Sequence, residues 1–168
     1  TEEPTGPNEI TDEAEDFVSV VLAENEDVWG QLFQQSNLQY TEPRLVLFTG
    51  ATSSGCGFAQ SAMGPFYCPN DRTVYLDVDF FRVMEQQLGS RGDFAKAYVI
   101  AHEVGHHVQD ELGLLAQVNA QRGAVGQRQS NELSVRTELQ ADCYAGVWAN
   151  SVQDRLQLTR EDIESALD

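Results

Sequence analysis

The sequence predicts an α+β fold in which a small antiparallel sheet or hairpin packs on a helical core. Two long stretches, 93–112 and 130–152, carry apolar residues at helical spacing. Short runs rich in Val, Tyr, Leu and Phe precede them, separated by Pro, Asn, Asp and Gly. With 168 residues, the chain has room for one domain with one sizeable core. Residues 1–10 read as a flexible acidic lead-in and residues 11–168 as the folded domain.

Thr11 is placed to cap a first helix, with acids in its opening turn where the helix dipole favours them. Phe17, Val18, Val21 and Leu22 mark one face, and Val28, Trp29, Leu32 and Phe33 resume it after an acidic interruption. One long helix or two short ones fit that pattern. Pro43 opens a strand at 45–48, whose unbroken apolar run suits burial on both faces. Residues 50–57 read as a Gly/Ser loop that lacks the Gly-Lys-Ser/Thr ending of a phosphate-binding loop. Residues 65–68 and 73–78 form a hairpin about the turn-forming 69–72. In its second strand Val74, Leu76 and Val78 alternate with Thr73, Tyr75 and Asp77, so one face should meet the core and the other water or ligand.

A short helix follows at 80–88, ended by Gly89. Asp93 caps a longer helix to about residue 112, with Gly113 as its stop. Its packing stripe is Phe94, Ala97, Tyr98, Ala101, Gly105, Val108 and Leu112. A mid-helix glycine costs about 0.5–1 kcal/mol relative to Ala, so Gly105 marks a close approach by another element. Residues 114–129 are ambiguous, because Gly123 and Gly126 interrupt a helical composition. Ser130 opens a long helix to about residue 152, and Thr159 caps a short last one.

The formal charge is -17, and ten of the 27 acids fall in the first 27 residues, which hold no Lys or Arg. Nucleic acid and anionic lipid are excluded as direct partners, since both need basic patches. No run approaches the roughly 20 apolar residues of a membrane span.

The chemistry concentrates in Ala101-His102-Glu103-Val104-Gly105-His106-His107, which holds every histidine of the chain. His102 and His106 stand about 40° apart around a helix, so both imidazoles can converge on one tetrahedral zinc ion. Glu103, beside the first, is placed to take a proton from metal-bound water. His107 lies about 140° from His102 and should face elsewhere. A third ligand must be a carboxylate or thiolate, because no other His exists. Glu138 is the best candidate, with Asp142 on the same face of its helix to accept the ring N–H of a ligand histidine, His102 above all. Glu132 is about 120° from Glu138 around the helix, so only one of the two can face the metal. The surrounding Ala141, Cys143, Ala145, Gly146, Val147 and Trp148 suggest a largely buried helix, in which acids need a metal or partner.

These residues resemble those of the bacterial neutral zinc metallopeptidases. The resemblance rests on His102-Glu103-Val104-Gly105-His106-His107-Val108-Gln109, on Glu138-Leu139-Gln140-Ala141-Asp142-Cys143-Tyr144-Ala145-Gly146 and on Gly64-Pro65-Phe66-Tyr67-Cys68-Pro69. It implies a helical zincin-like core, a gluzincin-like peptidase over residues 11–168, and one Zn2+ held by His102, His106 and Glu138. Zinc-bound water activated by Glu103 would then attack a peptide or protein substrate. The family often carries an N-terminal anchoring helix and a later Thr-His-Gly segment, neither of which is in these 168 residues, so membrane association would need an anchor outside them. Oxyanion stabilisation would fall to Tyr67, Tyr75, Tyr144 or a backbone N–H, with residues 73–78 taking substrate backbone by strand addition and Tyr75 near the cleft. The alternative is a non-catalytic zinc-containing binding or regulatory module.

Cys56 and Cys68, twelve apart, read as a disulfide, since a second metal site would want closer Cys-x-x-Cys spacing and more ligands. Cys143 reads as a buried small hydrophobe. The disulfide places the domain outside the cytoplasm, secreted or anchored, with the cytoplasm as the alternative.

Overall fold

The computed structural model describes residues 12–60, 64–89 and 92–156; the lead-in, the cap at Thr11 and the helix expected from Thr159 lie outside them. The acidic interruption does not break the first helix, which runs unbroken as α1 (Asp12–Gln35). Within it the Asn25 side chain is fully buried, and its amide donates to the Val21 carbonyl one turn back (2.9 Å). Val18, Val21, Val28, Trp29 and Phe33 face the core. Asn37, in the left-handed conformation, ends the helix, and the Leu38 N–H bonds back to the Phe33 carbonyl.

The strands are β1 (Arg44–Phe48), β2 (Ala51–Ser54), β3 (Gly57–Gln60), β4 (Phe66–Cys68) and β5 (Thr73–Asp77). The hairpin of β4 and β5 is antiparallel, as the turn residues require. The sheet as a whole is mixed rather than antiparallel, because β1 joins the far edge of β5 in parallel, giving the order β1-β5-β4. A parallel neighbour needs a long return path, and residues 49–72 supply it. That path is no plain Gly/Ser loop. It contains the β2–β3 hairpin, which the glycines permit by taking positive φ at Gly50 and Gly57.

Position in the sheet also overrides two local patterns. The apolar run of β1 sits at an edge and is only half-buried, whereas all five residues of β5 are buried despite their alternation. Thr73, Tyr75 and Asp77 therefore face protein rather than solvent or ligand. With both edges of β5 already paired, that strand cannot accept a substrate strand. The chain turns straight from β5 into α2 (Val78–Leu88), where the Asp77 carboxylate caps the Asp79 N–H at 2.9 Å.

Two long helices dominate the rest. In α3 (Gly92–Glu111), burial extends beyond one stripe to include Ala95, Ile100 and Val104, while Leu112 past its end is exposed. The short α4 (Leu114–Gly123) leads to α5 (Gln127–Leu156), which begins three residues before Ser130. Ala141, Ala145, Trp148, Ala149 and Val152 bury its inner face against α1 and α3. Each large apolar side chain so buried stabilises the fold by about 1.5–3 kcal/mol. Where α3 meets α5, a Cβ on Gly105 would stand 3.0 Å from the Ala141 carbonyl oxygen and 3.3 Å from its Cα. The glycine is thus what lets the two helices touch backbone to backbone. No described helix is long and apolar enough to cross a membrane.

A disulfide joins Cys56, in the β2–β3 turn, to Cys68 at the end of β4. The same turn is held by the Asp71 carboxylate, which accepts from the Gly55 N–H (2.8 Å), and by the Asn70 amide, which donates to the Gly55 carbonyl (3.1 Å). Cys143 is exposed on α5, not buried, because the inner face of that helix is taken by Ala141 and Ala145.

Two outcomes follow from these contacts. Thiol titration of the unfolded, unreduced chain should find one free thiol, and Cys56→Ser/Cys68→Ser should lower unfolding stability by roughly 2–3 kcal/mol in denaturant melts. Gly105→Ala should destabilise by about 1–3 kcal/mol, although Ala is the better helix former, because the added methyl forces α3 from α5.

Candidate metal centre

On α3 the one-turn spacing places His102 and His106 side by side, their ring centroids 4.8 Å apart. The α5 helix brings Glu138 to both. Its Oε2 lies 2.9 Å from His102 Nε2 and 3.2 Å from His106 Nε2. One potential ligand atom from each of the three residues falls within 4.8 Å of the others.

Hydrogen bonds at the far side of each ring decide what the near side can do. His102 Nδ1 is 2.7 Å from Asp142 Oδ1, and a carboxylate oxygen there is an acceptor, so Nδ1 carries the proton. His106 Nδ1 is 2.8 Å from Gln109 Oε1. The orientation of that amide is settled by its nitrogen, which donates to the Thr137 carbonyl and to Gln140 Oε1, both at 2.9 Å. In the neutral imidazoles both Nε2 atoms are therefore bare lone pairs, and they face a third acceptor, a carboxylate oxygen. Three converging acceptors repel one another unless a cation lies among them. The residues fit a zinc ion on this ground, and two imidazoles with one carboxylate are a donor set that zinc accepts.

Glu103 is buried, 8% exposed, while its neighbours in the triad reach solvent. Burial, then the negative charge of Glu138, pushes its carboxyl up to about 8. A cation at the triad acts in the opposite sense and favours the carboxylate. Among the described residues Glu103 has no hydrogen-bond partner, which leaves its oxygens available to a bound molecule.

The other residues singled out by sequence divide sharply. Asp142 stands behind His102, and Glu132 is elsewhere, beside Arg128 (3.5 Å). Glu138 and Asp142 are not on a buried stretch of α5; their side chains are 58% and 44% exposed, since the helix turns this face to a cleft. His107 points away as its rotation requires, fully buried, with Nε2 donating to the Thr41 carbonyl and Nδ1 2.8 Å from the Tyr67 hydroxyl, whose own proton goes to Asp110.

Of the tyrosines, only Tyr67 lines a cavity with His106 and Glu138, and its hydroxyl is also 2.6 Å from Asp110 Oδ2. Tyr75 is not near the cleft. It is buried against Phe66, with its hydroxyl donating to Asp71. Tyr144 packs edge-on against Trp29 and beside Gly105, partly buried against the core. Gln109 and Tyr98, whose hydroxyl donates to the Asp142 carbonyl (3.1 Å), support the site without having been singled out. For Gln109 the signal was its place three residues after His106, one turn on along the same face.

The fold and donor set define an α+β domain with a two-histidine, one-glutamate candidate metal site between its two longest helices. The chain belongs to the family described as "Putative neutral zinc metallopeptidase", which matches residues 2–168. It is 53% identical over 161 residues to the uncharacterized protein YpfJ of Escherichia coli strain K12, covering 96% of this chain and 55% of that protein. Over 111 residues it is 59% identical to the uncharacterized protein Rv2575 of Mycobacterium tuberculosis strain H37Rv, covering 66% of this chain and 36% of that one. The chain therefore spans about half the length of YpfJ and about a third of Rv2575. No solved structure matches it.

Removing the acceptor behind either ring should weaken metal binding at the candidate site without removing one of its three donors. Asp142→Ala and Gln109→Ala should each weaken zinc binding about 10–100-fold in competition with a chelator, while Glu132→Ala leaves it unchanged.

Proposed function

We propose that this domain, residues 11–168, is a zinc-dependent peptidase in which His102, His106 and Glu138 hold one Zn2+ and Glu103 is the general base. The observation that carries this reading is the buried Glu103, without a hydrogen-bond partner among the described residues, one residue from a metal-ligand candidate. A site that served structure alone has no use for a carboxylate kept in that state. When bound, zinc supplies Lewis acidity toward a peptide carbonyl and lowers the pKa of water.

The chain's own groups do the rest. Glu103 accepts a proton from the attacking water and delivers it to the departing amine. Asp142 and Gln109 hold the two imidazoles in the tautomer that presents Nε2. Of the three candidate tyrosines, Tyr67, which shares a cavity with His106 and Glu138, is the oxyanion donor in this reading, turning its hydroxyl from Asp110 as substrate enters. The Cys56–Cys68 disulfide supports an extracytoplasmic location, since such bonds persist in oxidising compartments.

Glu103→Gln tests the assignment. It should retain stoichiometric zinc by metal analysis and lose about 10²–10⁴-fold in peptide hydrolysis against a broad peptide library. Equal rates in variant and parent would remove Glu103 as base. A parent that binds zinc yet digests nothing would favour a zinc-containing binding module.

A further inference from the structure

Beside the triad lies a cavity of about 320 Å³, at the small end of ligand sites and of a size for one or two residues of a peptide. His106 and Glu138 form one wall. Tyr67 closes it from the hairpin, and α4 contributes Leu115, Val118 and Arg122. Glu138, the acid of this lining, is turned toward the two histidines. Arg122 is then the charge that an entering molecule meets.

The guanidinium is held in place. Its Nε donates to Ser130 Oγ at 2.9 Å, which ties the end of α4 to the start of α5 and fixes the plane of the fork. Among the described residues no carboxylate lies within ion-pair distance of it, so both terminal nitrogens keep their donors. Arg72, Arg82, Arg128 and Lys96, by contrast, all stand beside acids. The hollow beside Asp142, about 350 Å³ and lined by Tyr98, Leu139 and Cys143 among others, has no cation among its described lining residues. Among the described residues, Arg122 is the positive side chain lining the cavity beside His106.

We infer that this cavity is a substrate subsite in which Arg122 binds a carboxylate of the peptide through its two free N–H edges, next to the bond to be cut. The inference rests on the peptidase reading for the nature of the ligand. A planar fork matches a carboxylate in paired hydrogen bonds, and the apolar wall of Leu115 and Val118 takes the carbon chain that carries it. Two sources offer that group, an Asp or Glu side chain and the free C-terminus of the peptide.

The experiment uses acetylated hexapeptides in which one position at a time is Glu or Gln, each made both as the free acid and as the C-terminal amide. Binding to the metal-loaded Glu103→Gln chain is measured by calorimetry, and cleavage by the parent by mass spectrometry. Carboxylate-bearing peptides should bind about 10–100-fold tighter than their neutral partners, and Arg122→Gln should abolish that difference. Arg122→Lys, which keeps charge but not the fork, should retain only part of it, with the fold of both variants verified by circular dichroism. A preference that follows Glu over Gln assigns the side chain; one that follows acid over amide assigns the terminus. Cleavage by the parent with no carboxylate preference overturns this inference and leaves the peptidase reading standing. Arg122-dependent binding without cleavage does the reverse. Preference that survives Arg122→Gln in a folded variant also overturns it.

Discussion

The contact between Gly105 of α3 and Ala141 of α5 is the constraint on which the candidate site depends. With hydrogen in place of a side chain at 105, the helices meet at backbone distance, and residues one turn either side are brought within hydrogen-bond reach. Glu138 and Asp142 stand three residues before and one after Ala141; His102 and His106 bracket Gly105 in the same way. A wider spacing would leave the Glu138 carboxylate short of both imidazoles. The apolar burial of Val104, Val108, Ala145 and Trp148 holds the helices at this distance, so packing energy and site geometry are one arrangement.

The polar groups follow from that closeness. At the Asp142 and Gln109 ends of the rings the protons are fixed; at the Glu138 end only lone pairs remain. Such a cluster is an unfavourable arrangement by itself and becomes favourable around a cation. The Gln109 amide also spans to Thr137 and Gln140, so the group that orients His106 joins α3 to the turn of α5 that carries Glu138. The geometry of the candidate metal site and the docking of the two helices are therefore coupled through one buried side chain.

The sheet serves the site from the other side. Tyr67, on β4, reaches across to His107 and Asp110 on α3, and the disulfide with the Asp71 network secures the hairpin that carries it. The buried β5 anchors that strand to the core. In consequence the cleft wall at Tyr67 is positioned by the hairpin, while the candidate metal ligands are positioned by the helices.

Much of this was legible in the chain alone. The one-turn spacing of His102 and His106, the glycine at 105, the pairing of Glu138 with Asp142 and the turn at 69–72 are local patterns, and local geometry carries them into space unchanged. The parallel pairing of β1, the β2–β3 hairpin, the full burial of β5, the exposure of Cys143 and the separation of Tyr75 and Tyr144 from the cleft were not. Each depends on which neighbour occupies an edge or face, and that is decided by contacts between residues far apart in sequence. The same holds for Gln109 and Arg122, whose roles depend on partners on α5. Sequence determined the ligand-bearing helices and their register; only the tertiary structure decided which side chains stand around them, because burial and hydrogen-bond partners belong to the packed assembly and not to any one segment.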